Sequence, residues 1–188
     1  SWQLEEDCSA SGLMCSMEGT SAICSSTILF EDFSVWPPAG WTIEDGYTDG
    51  YTWEQFPEGD SLPTGSFTLY DGPSAWLDSD TPGSGVTMDE TLTSPVFDCS
   101  SYTTVTLYFD FSYQFYEDAG DFAAVEISTD GGSTWDEVTR YTVDTVDEHA
   151  ILDLSTWAAG QSTVQIRFHY YATWDWYWII DNVEVIVG

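Results

Sequence analysis

The side chains able to do chemistry are two histidines, four cysteines, 33 carboxylates and a set of large aromatics near the C-terminus. A Ser–His–Asp hydrolase would have to use His149 or His169. His169 alternates with Phe168 in a strand-like stretch, and no G-x-S-x-G nucleophile turn lies nearby. Glycoside hydrolysis needs two carboxyl groups about 5–10 Å apart in a cleft, and no motif selects such a pair. The residues therefore point to binding and assembly, not to an enzyme.

Cys8, Cys15, Cys24 and Cys99 show no C-x-x-C spacing, and neither histidine is near them in sequence, which argues against zinc. Four cysteines in an exported chain fit two disulfides, with three possible connectivities. Three of them fall within residues 1–26, so at least one bridge is expected to tie that segment to Cys99. Tyr170, Tyr171, Trp174, Trp176, Tyr177 and Trp178 could stack on sugar rings, but large aromatics also fill cores and interfaces. Tyr171, Trp174, Trp176 and Trp178 are the candidates for a ligand or interface surface. Ser128, Asp130, Gly132, Thr134 and Trp135 complete an S-x-D-x-G-x-T-W box. That box reads as a stabilised hairpin: glycine for the turn, Asp for the turn N–H groups, Trp packed above.

The carboxylates face only Arg140 and Arg167, and no lysine is present, so the net charge is −31. Such a surface repels phosphate backbones and anionic lipid but attracts divalent cations. Nucleic acid and membrane insertion are thus not expected, and no apolar run reaches the length of a membrane helix. Hydrophobic residues make up 43%, enough for a real core. The start at Ser1, with no signal-peptide core, reads as a mature, processed form and places the chain outside the cell or on its surface.

The elements that must position these groups are strands. In residues 103–115, Val105, Leu107, Phe109, Phe111, Tyr113 and Phe115 share one face, with polar side chains mostly on the other. An apolar face of that width needs a second sheet. Residues 164–173 alternate in the same way. Residues 176–180 are apolar on both faces, as a strand covered on both sides would be. Further strands are expected at 28–33, 41–44, 51–55, 66–70, 75–77, 91–97, 121–129, 134–141 and 149–154, with one helical turn at 154–159. About 11–12 strands with frequent turn signals predict an all-β, antiparallel jelly-roll β-sandwich over residues 27–188. A Cys-rich, disulfide-stapled N-terminal arm, residues 1–26, precedes it.

Ile28 to Phe33 (ILFEDF) followed by Pro38-Ala39-Gly40-Trp41-Thr42 resembles the opening of cleaved-adhesin and choice-of-anchor domains, relatives of MAM domains. Thr93-Ser94-Pro95, the run Val125 to Gly132 with Trp135, and Ile180-Asp181-Asn182-Val183 agree in order. The resemblance implies a secreted jelly roll with calcium sites and adhesive roles. It places Glu31, Asp32 and Asp181 near a metal, with Asp98 a further candidate. Ser34 departs from the family's usual Glu, and the arm lies outside the family pattern. The resulting expectation is a non-catalytic, calcium-binding, adhesin-like sandwich. It would be a self-assembling subunit of an extracellular filament or surface layer, with itself or other surface proteins as partner. The alternative is a module that binds carbohydrate or a host surface.

Overall fold

Two antiparallel sheets pack face to face in the computed structural model, which describes residues 14–18, 21–57, 61–63, 65–69, 72–116 and 120–188, without the side chains of 14–24. Twelve strands are described: β1 (Met14–Glu18), β2 (Ser21–Glu31), β3 (Thr42–Asp45), β4 (Glu54–Phe56), β5 (Ser74–Asp78), β6 (Thr87–Thr93), β7 (Val105–Gln114), β8 (Phe122–Ser128), β9 (Asp136–Tyr141), β10 (Thr145–Asp153), β11 (Gln165–Thr173) and β12 (Tyr177–Val187). Among the described residues one short helix, α1 (Ser155–Ala158), follows β10.

One sheet is ordered β3-β6-β11-β8-β9. The other is built on β12. Along one flank β12 pairs throughout with β7, whose far side carries β10. Along its other flank β12 pairs first with β5 and then with β2, and these carry β4 and β1. The antiparallel β-sandwich expected from the alternation is the architecture found.

Period-two alternation decides the core. Val105, Leu107, Phe109, Phe111 and Tyr113 of β7 are all fully buried, facing Ile166, Phe168, Tyr170 and Ala172 of β11. Phe168 sits at the centre. Its ring packs against Trp41, Phe109 and Trp178 with centroids 6.4, 5.2 and 5.6 Å away. The expected double coverage of residues 176–180 is also found. Trp178 and Ile180 face the main core, while Tyr177 and Ile179 join Phe56 and Phe67 in a second cluster on the outer side.

That outer cover explains one correction. Residues 66–70 read as a strand, but 66–69 run as loop, and residue 70 is outside the described set. The segment lies across β7 and β12, and Ser112 Oγ donates to Ser66 O at 2.7 Å. Gly65, at φ +66°, permits the close approach, since a Cβ there would meet Gln114 Oε1 at 2.5 Å and Tyr177 Oη at 2.7 Å. Phe67 is buried against the outer cluster, so its apolar character serves covering and not pairing.

The described part of the arm is an antiparallel strand pair, β1 with β2. Pairing of β2 with β12 begins at Ser26, opposite Val187, so the arm is continuous with the body through one strand. The register sets Cys15 opposite Cys24. Cys8 lies outside the described residues. The expectation for Cys99 is corrected: it is a free thiol, fully buried beside the core, and burial pushes its pKa up to about 11. It acts as a small apolar core residue. Among the described residues, the β2–β12 ladder joins the arm to the body, and Cys99 forms no bridge.

Candidate functional site

The two histidines are engaged by carboxylates. His149 Nδ1 meets Asp110 Oδ1 at 2.6 Å. His169 lies on the outer face of the five-stranded sheet, its Nε2 at 2.7 Å from Asp89 Oδ1 and its Nδ1 at 3.3 Å from Glu126 Oε1. Burial would lower the His169 pKa, but these carboxylates raise it above the usual value. Arg167 pairs with Glu126 and covers the Trp135 ring, and Arg140 pairs with Glu137 and covers Phe122. Both arginines thus brace this sheet face. The S-x-D-x-G-x-T-W box is a closed turn. Asp130 Oδ1 accepts from the N–H groups of Ser133 and Thr134, each at 2.9 Å, and Oδ2 accepts from Thr134 Oγ1 at 2.7 Å. These bonds, led by that hydroxyl, pull the Asp130 pKa down to about 2.

The aromatic candidates separate by strand parity. Trp178 points inward, is fully buried, and is therefore corrected from a contact residue to a core residue. Tyr171 is half-buried on the outer sheet face, stacked on Phe122 at 5.7 Å and 15°. Trp174 and Trp176 flank Asp175 in the link between β11 and β12. With Tyr116, which follows β7, and with Asp80, they line a cleft of about 170 Å³. Tyr116 and Trp174 remain 52% and 44% exposed. The Tyr116 ring lies 5.9 Å from Trp174 and 6.2 Å from Trp176. Tyr116 is the residue that sequence reasoning missed, because it stands alone beyond the alternating run of β7.

The cleft is held from beneath. Asp175 is buried; its Oδ1 accepts from Tyr116 N and its Oδ2 from Tyr113 Oη, the latter at 3.0 Å. Ser79 Oγ donates to Asp175 O at 2.8 Å, and Ser79 N to Trp176 O at 3.0 Å. One carboxylate and one serine thus fix both walls. Trp174 has φ +56°, a left-handed conformation that costs a bulky side chain about 1–2 kcal/mol.

Burial pushes the Asp175 pKa up to about 6, against the opposing pull of its hydrogen bonds. The folded state therefore binds more protons than the unfolded chain between about pH 6 and the ordinary value of 3.8. His169, also raised, contributes in the same direction: its stabilisation is complete below the unfolded pKa and fades as pH rises through the folded one. Burial also pushes the Glu90 pKa up to about 7, so stability in chelator should rise by roughly 2–4 kcal/mol as pH falls from 8 to 5. Below about pH 4 the depressed Asp32, Asp98, Asp130 and Asp153 reverse the trend. Urea unfolding across this range checks it. In Asp175→Asn the rise should shrink; an undiminished rise would assign it elsewhere.

Among the described residues, Glu31, Asp32, Asp98 and Asp181 form no group of three whose ligand atoms lie within 4.8 Å of one another. Glu31 Oε1 accepts from Phe33 N, Asp32 Oδ1 from Ser34 N, and Asp98 Oδ1 from Ser100 N. Asp181 is buried in β12, accepting from Asn182 N and Ser74 Oγ. Among the described residues, the group of three whose ligand atoms all lie within 4.8 Å is a different one, Asp45, Asp49 and Glu90.

No family model and no curated protein matches the chain. Solved structures do. The K1 cleaved adhesin domain of Lys-gingipain from Porphyromonas gingivalis W83 is 21% identical, with a TM-score of 0.58, over 85% of this chain and 98% of that one. The K3 cleaved adhesin domain of the same protein is 19% identical, TM-score 0.60, over 87% and 100%. The CBM22-1 xylan-binding domain of Paenibacillus barcinonensis Xyn10C is 10% identical, TM-score 0.52, over 87% and 95%. The fold is shared with adhesin and carbohydrate-binding domains. At these identities the likeness is one of architecture. No helix among the described residues is long and apolar enough to cross a membrane.

Proposed function

We propose that this chain is an extracellular, non-catalytic, adhesin-like module that binds carbohydrate in the cleft of Tyr116, Trp174 and Trp176. The observation that carries this reading is Trp174: a bulky ring held in a left-handed backbone, 44% exposed, in contact with Tyr116 and lining the same cleft as Trp176. Strain of this kind persists where the surroundings over-determine it, as at ligand clamps. Aromatic faces with a polar neighbour suit the alternating apolar and hydroxylated surface of a sugar ring. The architecture shared with adhesin and carbohydrate-binding domains supports it. Asp80 in the wall and a net charge of −31 select a neutral glycan over an anionic one.

A second reading, self-assembly into a filament or surface layer, is favoured by the β1–β2 hairpin. Its outer half, residues 21–25 of β2, pairs with β1 and with no other described strand. Free strand edges are templates for another chain. Two measurements on the full chain divide the readings. Affinity electrophoresis and tryptophan fluorescence should show saturable binding of a neutral polysaccharide such as a xylan or galactan, and none of an anionic one. Electron micrographs should show discrete particles. Filaments without binding of any neutral glycan at millimolar sugar would favour assembly and overturn the carbohydrate reading.

A further inference from the structure

Resting on the carbohydrate reading above, we propose that the ligand of the Trp174 cleft is a neutral glycan chain of several sugar units, held a second time in a pocket beside Tyr51, Glu54 and Trp76. The Asp78–Thr81 turn stands between the two contacts. The second pocket measures about 70 Å³, and its walls include Tyr51, Glu54, Trp76, Asp78 and Thr81, with no cationic residue among them. Tyr51 is 39% exposed and Glu54 is exposed. The pocket thus repeats what the first cleft offers: an aromatic surface open to solvent beside a carboxylate that accepts from sugar hydroxyls.

The end of β5 joins the two pockets. Asp78 lines the second and Asp80 lines the first, and residues two apart in a chain have Cα atoms at most about 7–8 Å apart. The β5–β12 register sets Trp76 opposite Ile179 and Asp78 opposite Tyr177, and the pairing runs on to Ser79 N and Trp176 O. Trp76 of the second pocket and Trp176 of the first both pack on the outer cluster of Phe56, Phe67, Tyr177 and Ile179. One apolar bed therefore underlies both contacts. The turn between them is fixed. Asp78 Oδ1 accepts from Asp80 N at 2.9 Å and from Thr81 N at 3.3 Å, Oδ2 accepts from Thr81 Oγ1, and Gly83 N donates to Asp80 O at 3.1 Å. Two contacts held at a set spacing suit a ligand whose own units repeat at a set spacing.

Size argues for one ligand across both. The first cleft is about 170 Å³ and the second pocket about 70 Å³, each short of the roughly 300 Å³ at which a pocket encloses a small molecule by itself. A single sugar held in one of them gains little over what association costs in translational freedom and ordering. A chain already engaged at the first cleft makes its second contact intramolecularly and does not lose that freedom twice. Glu54 and Asp80, both exposed, set the charge along the path: they accept from hydroxyls and repel anionic sugars.

The full chain is titrated, by calorimetry and tryptophan fluorescence, with neutral xylo- and galacto-oligosaccharides from the disaccharide to the hexasaccharide. Within the series that binds, affinity should rise with length by about 10-fold or more and then level off. Tyr51→Ala, at an exposed position before β4, should keep the melting curve of the parent and lower the hexasaccharide-to-disaccharide affinity ratio by about 3- to 10-fold. Trp174→Ala should weaken binding at every length. Tyr47→Ala, at an exposed residue beside Tyr171, away from both pockets, should keep the parent's ratio. Equal affinity at all lengths, or an unchanged ratio in Tyr51→Ala, would overturn the second contact and leave the first cleft standing. A ratio lost in Tyr47→Ala and kept in Tyr51→Ala would overturn it too, because the chain would then run past Tyr171. Absence of binding at any length would remove the carbohydrate reading itself and the second contact with it.

Discussion

Phe168→Ala is expected to destabilise the protein by about 3–5 kcal/mol, more than any surface change. The ring is fully buried at the middle of β11 and touches Trp41, which leads into β3, Phe109 of β7 and Trp178 of β12. Removing it leaves a cavity bounded by three rigid aromatics that cannot collapse into the gap. It also ends three ring–ring contacts, each worth about 0.5–1.5 kcal/mol beyond area burial. For a domain whose total stability is on the order of 5–15 kcal/mol, that is a large share. The melting temperature should fall by roughly 6–20 °C. Phe30→Ala is the contrast. Phe30 is 58% exposed on β2, and its loss should stay within about 0.5 kcal/mol. Urea midpoints for the two variants measure the difference, and equal midpoints would mean that the two sheets do not meet through Phe168.

The same alternation that makes Phe168 central made the sandwich legible. β7, β11 and β12 announce themselves because a period of two assigns every side chain to a face, and a wide apolar face demands a partner. The double coverage of residues 176–180 was legible for the same reason. Where alternation was weak, reading failed in both directions. Residues 66–70 have strand-like composition, but residues 66–69 cover β12 from outside, and only the close approach at Gly65 distinguishes covering from pairing. β1 has little alternation, and what defines it is its backbone register with β2. The run from Trp174 to Trp178 contains three tryptophans, and composition alone cannot rank them. Where β12 begins decides it, placing Trp178 inside and leaving Trp174 in the link.

The sites were less legible than the fold because they join residues far apart in the chain. Asp45 and Glu90 are adjacent only through the register of β3 with β6. The local signal, two aspartates four apart with a glycine after the second, sits in a chain so rich in acid that it does not stand out. Tyr116 reaches Trp174 because one buried carboxylate, Asp175, holds both chain segments. Cys99 shows the converse: a cysteine count suggests bridges, whereas burial decides whether a given thiol is simply filling space.

Trp174→Gly is expected to abolish or nearly abolish glycan binding while leaving stability within about 1 kcal/mol of the parent. Several effects on stability oppose one another. Glycine relieves the left-handed strain at φ +56°, a gain of about 1–2 kcal/mol. It gives back roughly 0.5–1 kcal/mol through the greater freedom of the unfolded chain. Loss of the ring contact with Tyr116 costs about 0.5–1.5 kcal/mol more. On binding nothing cancels, because Trp174, 44% exposed, forms with Tyr116 the aromatic wall open to solvent. A stacked aromatic at the centre of a contact is commonly worth 2 kcal/mol or more, which corresponds to a loss of about 30-fold or greater in affinity. Trp174→Ala would lose binding equally but keep the backbone strain, and should be less stable than Trp174→Gly. Melting curves and fluorescence titrations on both variants measure the two effects separately. If Trp174→Gly binds the same glycan as tightly as the parent, the cleft is not the binding site. If Trp174→Ala proves the more stable of the two, the strained backbone is not what sets the ring in place.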